Sequence, residues 1–162
     1  MSEKNLEALF LHNLKDIYFA EQQIAKVLPV MIAAAESQDL RSAFETHARE
    51  THHQIRRLEQ IFEIVGERPA GVSCEGILGS IKEGQEVMRD FVDGEAFEAG
   101  LIAAAQSIEH YEIARYGTLR AWAKQLQMSD AAQLLEESLD EETDTDEILT
   151  DIAEDAINRE AV

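Results

Sequence analysis

The chain has 162 residues, of which 45% are hydrophobic and 33 are acidic against 14 basic, so its formal net charge is −19. This excess of negative charge disfavours nucleic acid and anionic membranes as partners, because both are polyanions. The single cysteine, Cys74, excludes an internal disulfide and a cysteine-based zinc site, and neither a membrane-length apolar run nor a signal-peptide pattern is visible, so we expect a cytoplasmic protein.

The first half of the chain predicts two long helices joined by a short turn. Only two prolines occur, and alanine, leucine and glutamate are frequent, which favours helix. Apolar residues recur at helical spacings over about residues 3–36, where Ser2 is the expected N-cap with Asn5 close behind. A second helix is expected over about residues 40–65, with Asp39 as its cap.

The second half predicts a long connection followed by another pair of helices. Residues 66–94 are rich in glycine and carry one short stretch of helical periodicity over Ile81–Phe91, so they suit a crossover along a bundle about 40 Å long. Helices follow over about residues 95–126 and 130–158, the latter capped by Ser129. The predicted fold is one all-α domain over residues 1–162, a ferritin-like four-helix bundle whose long crossover contains a short extra helix.

Each of the four predicted bundle helices carries an acidic residue on the face that should be buried. At about 100° per residue, Glu21 lies within about 20° of Leu14 and Leu28, at the centre of its apolar stripe. The remaining helices place acidic residues near mid-helix on their own apolar faces: Glu50, Glu109, Glu112 and Glu142. Because few lysines or arginines share these faces, the acids would repel one another unless cations lay among them.

This pattern predicts a site for two metal ions. Burying an ionised carboxylate without a partner costs several kcal/mol, and metal ions would offset that cost. Oxygen-rich ligands without a thiolate favour iron, with manganese as the alternative. In this arrangement Glu50 and Glu142 bridge the ions, and Glu21 with either Glu112 or Glu109 are terminal ligands.

The sequence pattern of di-iron bundles also includes Glu-x-x-His on two of the four helices. Glu50 and His53 satisfy this spacing on the second helix. On the last helix Glu142 is followed at the third position by Thr145, so Asp146, one residue further, is the next candidate ligand.

Other polar residues share the predicted inner faces. His47 and Gln54 lie closer than His53 to the centre of the second helix's buried stripe, so all three stay open as ligands or as partners of ligands. Tyr18 and Tyr116 also point inward, either as core residues with hydrogen-bonded hydroxyls or as redox-accessible phenols near the metals.

Several segments on these faces form a recognisable set: Leu14–Tyr18, Ala20–Gln23, His47–Glu59, Glu109–Ala114, Tyr116–Leu119, and Leu139–Glu142 with Asp146. Over nearly the whole chain they resemble the YciF-like family of stress proteins. The resemblance implies a ferritin-like bundle with a rubrerythrin-related core, a homodimer and a role in bacterial stress responses. It also implies a Glu-x-x-x-Gln/His pattern in the second helix, which points to Gln54 rather than His53.

Three functions are compatible with these residues. The first is a carboxylate-bridged di-iron or manganese oxidoreductase of the stress response, with peroxidase-like reactivity toward O₂ or peroxide. The second is a metal-binding or structural stress protein without turnover. The third is an adaptor whose acidic surface binds a basic partner. The second Glu-x-x-His and the cysteine-rich domain of rubrerythrin are both missing, so the electron donor is unknown.

Overall fold

A computed structural model describes residues 4–162, and within that range all regular structure is helical. The five main helices are α1 (Leu6–Ala34), α2 (Gln38–Ile64), α3 (Glu75–Asp90), α4 (Phe97–Gln125) and α5 (Ser129–Ile152). The pairs α1–α2 and α4–α5 form two hairpins, which pack together through α2 against α5 and α1 against α4. α3 lies outside, on α4 and α1, so the predicted all-α bundle with a crossover helix is confirmed.

Apolar residues of all four bundle helices fill the core. Leu14, Leu58, Leu101 and Leu135, one from each helix, are fully buried. Burial of one such side chain contributes about 1.5–3 kcal/mol, so the apolar stripes set which face of each helix turns inward. No helix in the described part of the chain is both long enough and apolar enough to span a bilayer.

The helix caps differ from those expected. Ser2 lies outside the described residues, and α1 begins at Leu6 because the Asn5 side chain accepts a hydrogen bond from Ala8 N at 2.9 Å. Ser37, with extended backbone, caps α2 in place of Asp39, which lies in the first turn where its charge favours the helix dipole. Ser129 is the first residue of α5 rather than its cap.

The crossover helix α3 is longer than expected, because its glycines do not interrupt the helix and one of them packs against α4. The sequence indicated helix only near residues 81–91, whereas α3 spans Glu75–Asp90. A Cβ on Gly84 would lie 3.2 Å from the Ala104 Cβ, and one on Gly100 would lie 2.5 Å from Val87 Cγ1. The missing side chains therefore let α3 and α4 approach closely.

The last predicted helix, expected over residues 130–158, is α-helical only to Ile152. A π-helical turn follows over Ala153–Ile157, and a last α-helical turn covers Asn158–Glu160. The Asn158 N–H donates to Ala153 O, five residues back, which is the π-helical bond.

Two bundle helices end in the same way. After α2, Gly66 adopts φ +72°, and Glu67 N donates to Phe62 O at 2.9 Å, as in a Schellman motif. After α4, the equivalent residue is Gln127, with φ +59°. A non-glycine residue is strained in this left-handed region.

We therefore expect Gln127→Gly to raise the free energy of unfolding by about 0.5–1 kcal/mol, since the relieved strain exceeds the added chain entropy. Gly66→Gln is the matched reverse change, because a Cβ there would have no neighbour within 4 Å and only backbone strain would change. It should lower stability by about 1 kcal/mol. Urea unfolding measures both, and a less stable Gln127→Gly variant would contradict this account.

Candidate metal centre

Four side chains from three helices converge inside the bundle. His47 of α2, Glu109 and Glu112 of α4 and Glu142 of α5 each offer one ligand atom, and these atoms all lie within 4.8 Å of one another. All four residues are at most 2% exposed. The apolar periodicity of the helices turns these faces inward, so the polar atoms meet where leucines would otherwise pack.

His47 lies between three carboxyl groups. Its Nδ1 is 2.7 Å from Glu109 Oε1, and its Nε2 is 3.7 Å from Glu112 Oε2 and 3.9 Å from Glu142 Oε2. The Nδ1 contact lies at ion-pair distance, but Glu109 Oε1 receives no hydrogen bond with proper geometry. A single imidazole therefore faces three acids.

Glu21 brings α1 to the same group. Its carboxyl lies near that of Glu112, and the Tyr116 hydroxyl donates to Glu21 Oε1. Glu21 and Tyr116 are both fully buried. The predicted inward orientation of Tyr116 thus places its phenol against a carboxylate of the centre.

Burial changes the acidity of all four glutamates. It raises the pKa of Glu21 to about 8, helped by the negative charge of Glu142. It also raises the pKa of Glu109 to about 8, and it raises the pKa of Glu112 and of Glu142 well above the ordinary range. Without cations, protons would therefore have to neutralise the cluster at neutral pH.

Many polar atoms of this cluster are buried without a hydrogen-bond partner. They are Glu21 Oε2, His47 Nε2, Gln54 Oε1, both carboxyl oxygens of Glu109 and of Glu112, and Glu142 Oε2. Buried polar atoms are normally satisfied, so such a set is suited to binding cations. Its six carboxyl oxygens and one imidazole nitrogen are donors that iron and manganese accept, so the residues fit the predicted metals.

Gln54 and two unpredicted residues lie next to this cluster. Gln54 Nε2 donates to Glu142 Oε1 and, at 3.0 Å, to Glu141 Oε2. Glu141 in turn is held by Arg57. The sequence reading missed Glu141 and Arg57 because both lie on the flanks of their helices, half-buried.

Glu50 and His53 lie outside the convergent group, which consists of His47, Glu109, Glu112 and Glu142. Glu50 is half-buried, accepts a hydrogen bond from the Thr145 hydroxyl at 3.3 Å, and lines an open groove of about 480 Å³ between α2 and α5. His53 is exposed, since it lies about 120° around α2 from His47. The formal Glu-x-x-His spacing therefore does not bring His53 to the centre.

Asp146 and Tyr18 have other partners. Asp146 Oδ2 lies 2.9 Å from Nε2 of the exposed His110, and its Oδ1 accepts from Gln106 at 3.1 Å. The Tyr18 hydroxyl donates to Glu59 at 3.1 Å. Neither side chain contributes a ligand atom to the group of His47, Glu109, Glu112 and Glu142.

The structure therefore combines a four-helix bundle, an outer crossover helix and a buried carboxylate-rich site, which together define a ferritin-like protein. Its sequence matches the family described as a domain of unknown function, DUF892, over residues 5–162. The chain belongs to that family.

Relatives cover nearly the whole chain. Protein YciF of Escherichia coli K12 is 42% identical over 99% of this chain and 98% of that protein. The crystal structure of the E. coli stress protein YciF matches 97% of this chain and 99% of that chain, with a TM-score of 0.91. YcfI of Rhodopseudomonas palustris, described as a candidate structural protein, is 45% identical over 93% of this chain and 97% of its own, with a TM-score of 0.88.

The raised carboxyl pKa values predict how pH affects the metal-free protein. Glu21 and Glu109 change from an ordinary 4.5 to about 8, so between these values the folded state holds protons that the unfolded state has released. Stability should therefore fall as pH rises from about 5 to 8, by up to about 1.4 kcal/mol per pH unit for each such carboxyl.

Urea unfolding of chelator-treated protein at pH 5, 6.5 and 8 measures this slope. The general repulsion among acidic residues also weakens the fold as pH rises, so Glu21→Gln serves as the control. It keeps an acceptor for the Tyr116 hydroxyl but removes one titrating group. We expect its profile to be less steep than that of the unsubstituted protein, and identical slopes would contradict the pKa assignment.

Proposed function

We propose that this protein binds two metal ions, iron or manganese, between the buried carboxylates and that the loaded centre reacts with O₂ or peroxide during bacterial stress. One observation carries the proposal: four buried glutamates and one buried imidazole leave six carboxyl oxygens and one ring nitrogen without a hydrogen-bond partner. Homology to the E. coli stress protein supports the physiological setting. The cytoplasmic location and the homodimer stay predictions.

The residues divide naturally into two groups of ligands. His47, Glu109, Glu112 and Glu142 would hold one ion, since their ligand atoms are mutually within 4.8 Å. Glu21, which lies beside Glu112, would hold a second ion together with shared carboxylates. The bridging role predicted for Glu50 would require its carboxylate to turn inward from the α2–α5 groove.

The protein's own groups would support such chemistry. A pair of carboxylate-bridged iron or manganese ions supplies redox equivalents and a binding position for a small oxidant. The apolar bundle excludes water from the cluster, and the Tyr116 hydroxyl holds a proton at Glu21. The Tyr18 hydroxyl has no such contact, because it donates to Glu59 instead.

A second function is a metal-binding or structural protein without turnover. The description of YcfI as a candidate structural protein favours it. In that case the same cluster binds metal and stabilises the bundle, but the loaded protein does not consume peroxide. The two functions share the centre and differ only in reactivity.

Metal content after purification without chelator tests the shared centre. We expect about two iron or manganese ions per chain in the unsubstituted protein. Glu112→Leu should bind much less metal, because it removes a ligand and places an apolar side chain in the core. Asp146→Asn is the matched control, because its carboxylate pairs with His110 instead. Fewer than about 0.2 ions per chain in the unsubstituted protein would contradict both functions.

Peroxide consumption by the same samples separates the two functions. The oxidoreductase requires rapid consumption by the metal-loaded protein and by Asp146→Asn, and none by Glu112→Leu. If the unsubstituted protein and Asp146→Asn hold metal but consume peroxide no faster than Glu112→Leu, metal binding stays in place and the structural protein is favoured.

A further inference from the structure

An ion pair at the bundle surface is linked to the buried cluster. Arg57 of α2 and Glu141 of α5 form a two-pronged contact, with Nη1 donating to Oε2 at 2.7 Å and Nη2 to Oε1 at 2.6 Å. Such a fork fixes both position and plane of the carboxylate. Arg57 is further held by Ser138 Oγ at 3.3 Å and by Glu137 at 3.3 Å, so the pair has little freedom to rotate.

Gln54 connects this ion pair to the centre. Its Nε2 carries two protons and meets two acceptors, Glu141 Oε2 at 3.0 Å and Glu142 Oε1. An amide oxygen in that position would face two carboxylates and could donate nothing to either. The side-chain amide is therefore held with Nε2 toward α5 and with the fully buried Oε1 turned away, where it has no partner.

Because of the hydrogen bond from Gln54, the two carboxyl oxygens of Glu142 have different surroundings. Oε1 is occupied by the amide, whereas Oε2 is buried without a partner and lies 3.9 Å from His47 Nε2. The free oxygen thus faces the cluster. Removing the amide would release the carboxylate to rotate about its terminal bond, a torsion with little intrinsic preference.

From these contacts we infer that Glu141, clamped by Arg57, is a positioning residue that sets the orientation of the Gln54 amide and through it the Glu142 carboxylate. Its effect on metal binding rests on the proposed function, but the orientation itself does not. Groups that orient metal ligands commonly change metal affinity by about 10- to 100-fold when they are removed.

The orientation can be tested without metal by NMR of the Gln54 side-chain amide in the chelator-treated chain. We expect two well-separated proton signals with slow solvent exchange, because both protons are hydrogen-bonded in a buried site. Glu141→Ala should shift these signals and speed their exchange. Glu136→Ala is the matched control, since it removes the α5 carboxylate of a different ion pair, with Arg120 of α4 at 2.9 Å, which has no link to Gln54.

A double-mutant cycle with Mn²⁺ tests the consequence for the centre. Calorimetric titration should show about tenfold weaker Mn²⁺ binding for Glu141→Ala than for the unsubstituted chain, and no change for Glu136→Ala. In a Gln54→Leu background the same Glu141→Ala change should alter affinity by less than about twofold, because the amide that transmits its effect is gone. The Mn²⁺ electron paramagnetic resonance spectrum should change in parallel.

These outcomes separate the two proposals. Unchanged Gln54 amide signals in Glu141→Ala would overturn the positioning role even if Mn²⁺ binds. Equal tenfold losses in both backgrounds would also overturn it, since Glu141 would then act by its charge alone. An unsubstituted chain that binds no Mn²⁺ and no iron, with the amide signals shifting as expected, would instead overturn the proposed function and leave the orientation standing.

Discussion

The burial of four carboxyl groups at one level of the bundle is the constraint on which the rest of this structure depends. Glu21, Glu109, Glu112 and Glu142 are almost fully enclosed, with one imidazole and no lysine or arginine among the convergent ligand atoms. Such a group is unstable as four anions, because desolvation and mutual repulsion act together. It therefore needs either protons or metal ions, and the stability of the bundle is tied to which of them is present.

The surrounding helices isolate this cluster. Fully buried leucines and isoleucines lie one or two turns on either side of Glu21 and Glu142: Ile17 and Ile24 in α1, and Leu135 and Leu149 in α5. Outside, the glycines of α3 and α4 let the crossover helix pack closely against the bundle and add a second layer over α4. The polar ligands are thus held by apolar packing, which has few alternative arrangements.

Helical periodicity could predict much of the site, but not all of it. A wheel fixes angle around one helix, so it identified Glu21, Glu109, Glu112 and Glu142 as acids on inner faces, and it ranked His47 and Gln54 above His53. It cannot give the tilt and offset between helices, which decide that Glu50 lines a groove and that Asp146 meets His110. Glu141 was missed for the same reason, since its importance lies in a contact between helices.

The charge of the buried group also bears on how many ions it would hold. Four ionised glutamates carry four negative charges, and an imidazole that ligates a metal adds none, because it binds through an unprotonated nitrogen. One divalent ion would leave two uncompensated charges in the core, whereas two divalent ions would balance the group and replace the protons that the raised pKa values imply. The Arg57–Glu141 pair balances its own charge, and Glu50, whose charge still raises the pKa of Glu109, is only half-buried and reaches solvent. Charge balance within the core therefore favours a pair of ions over a single one.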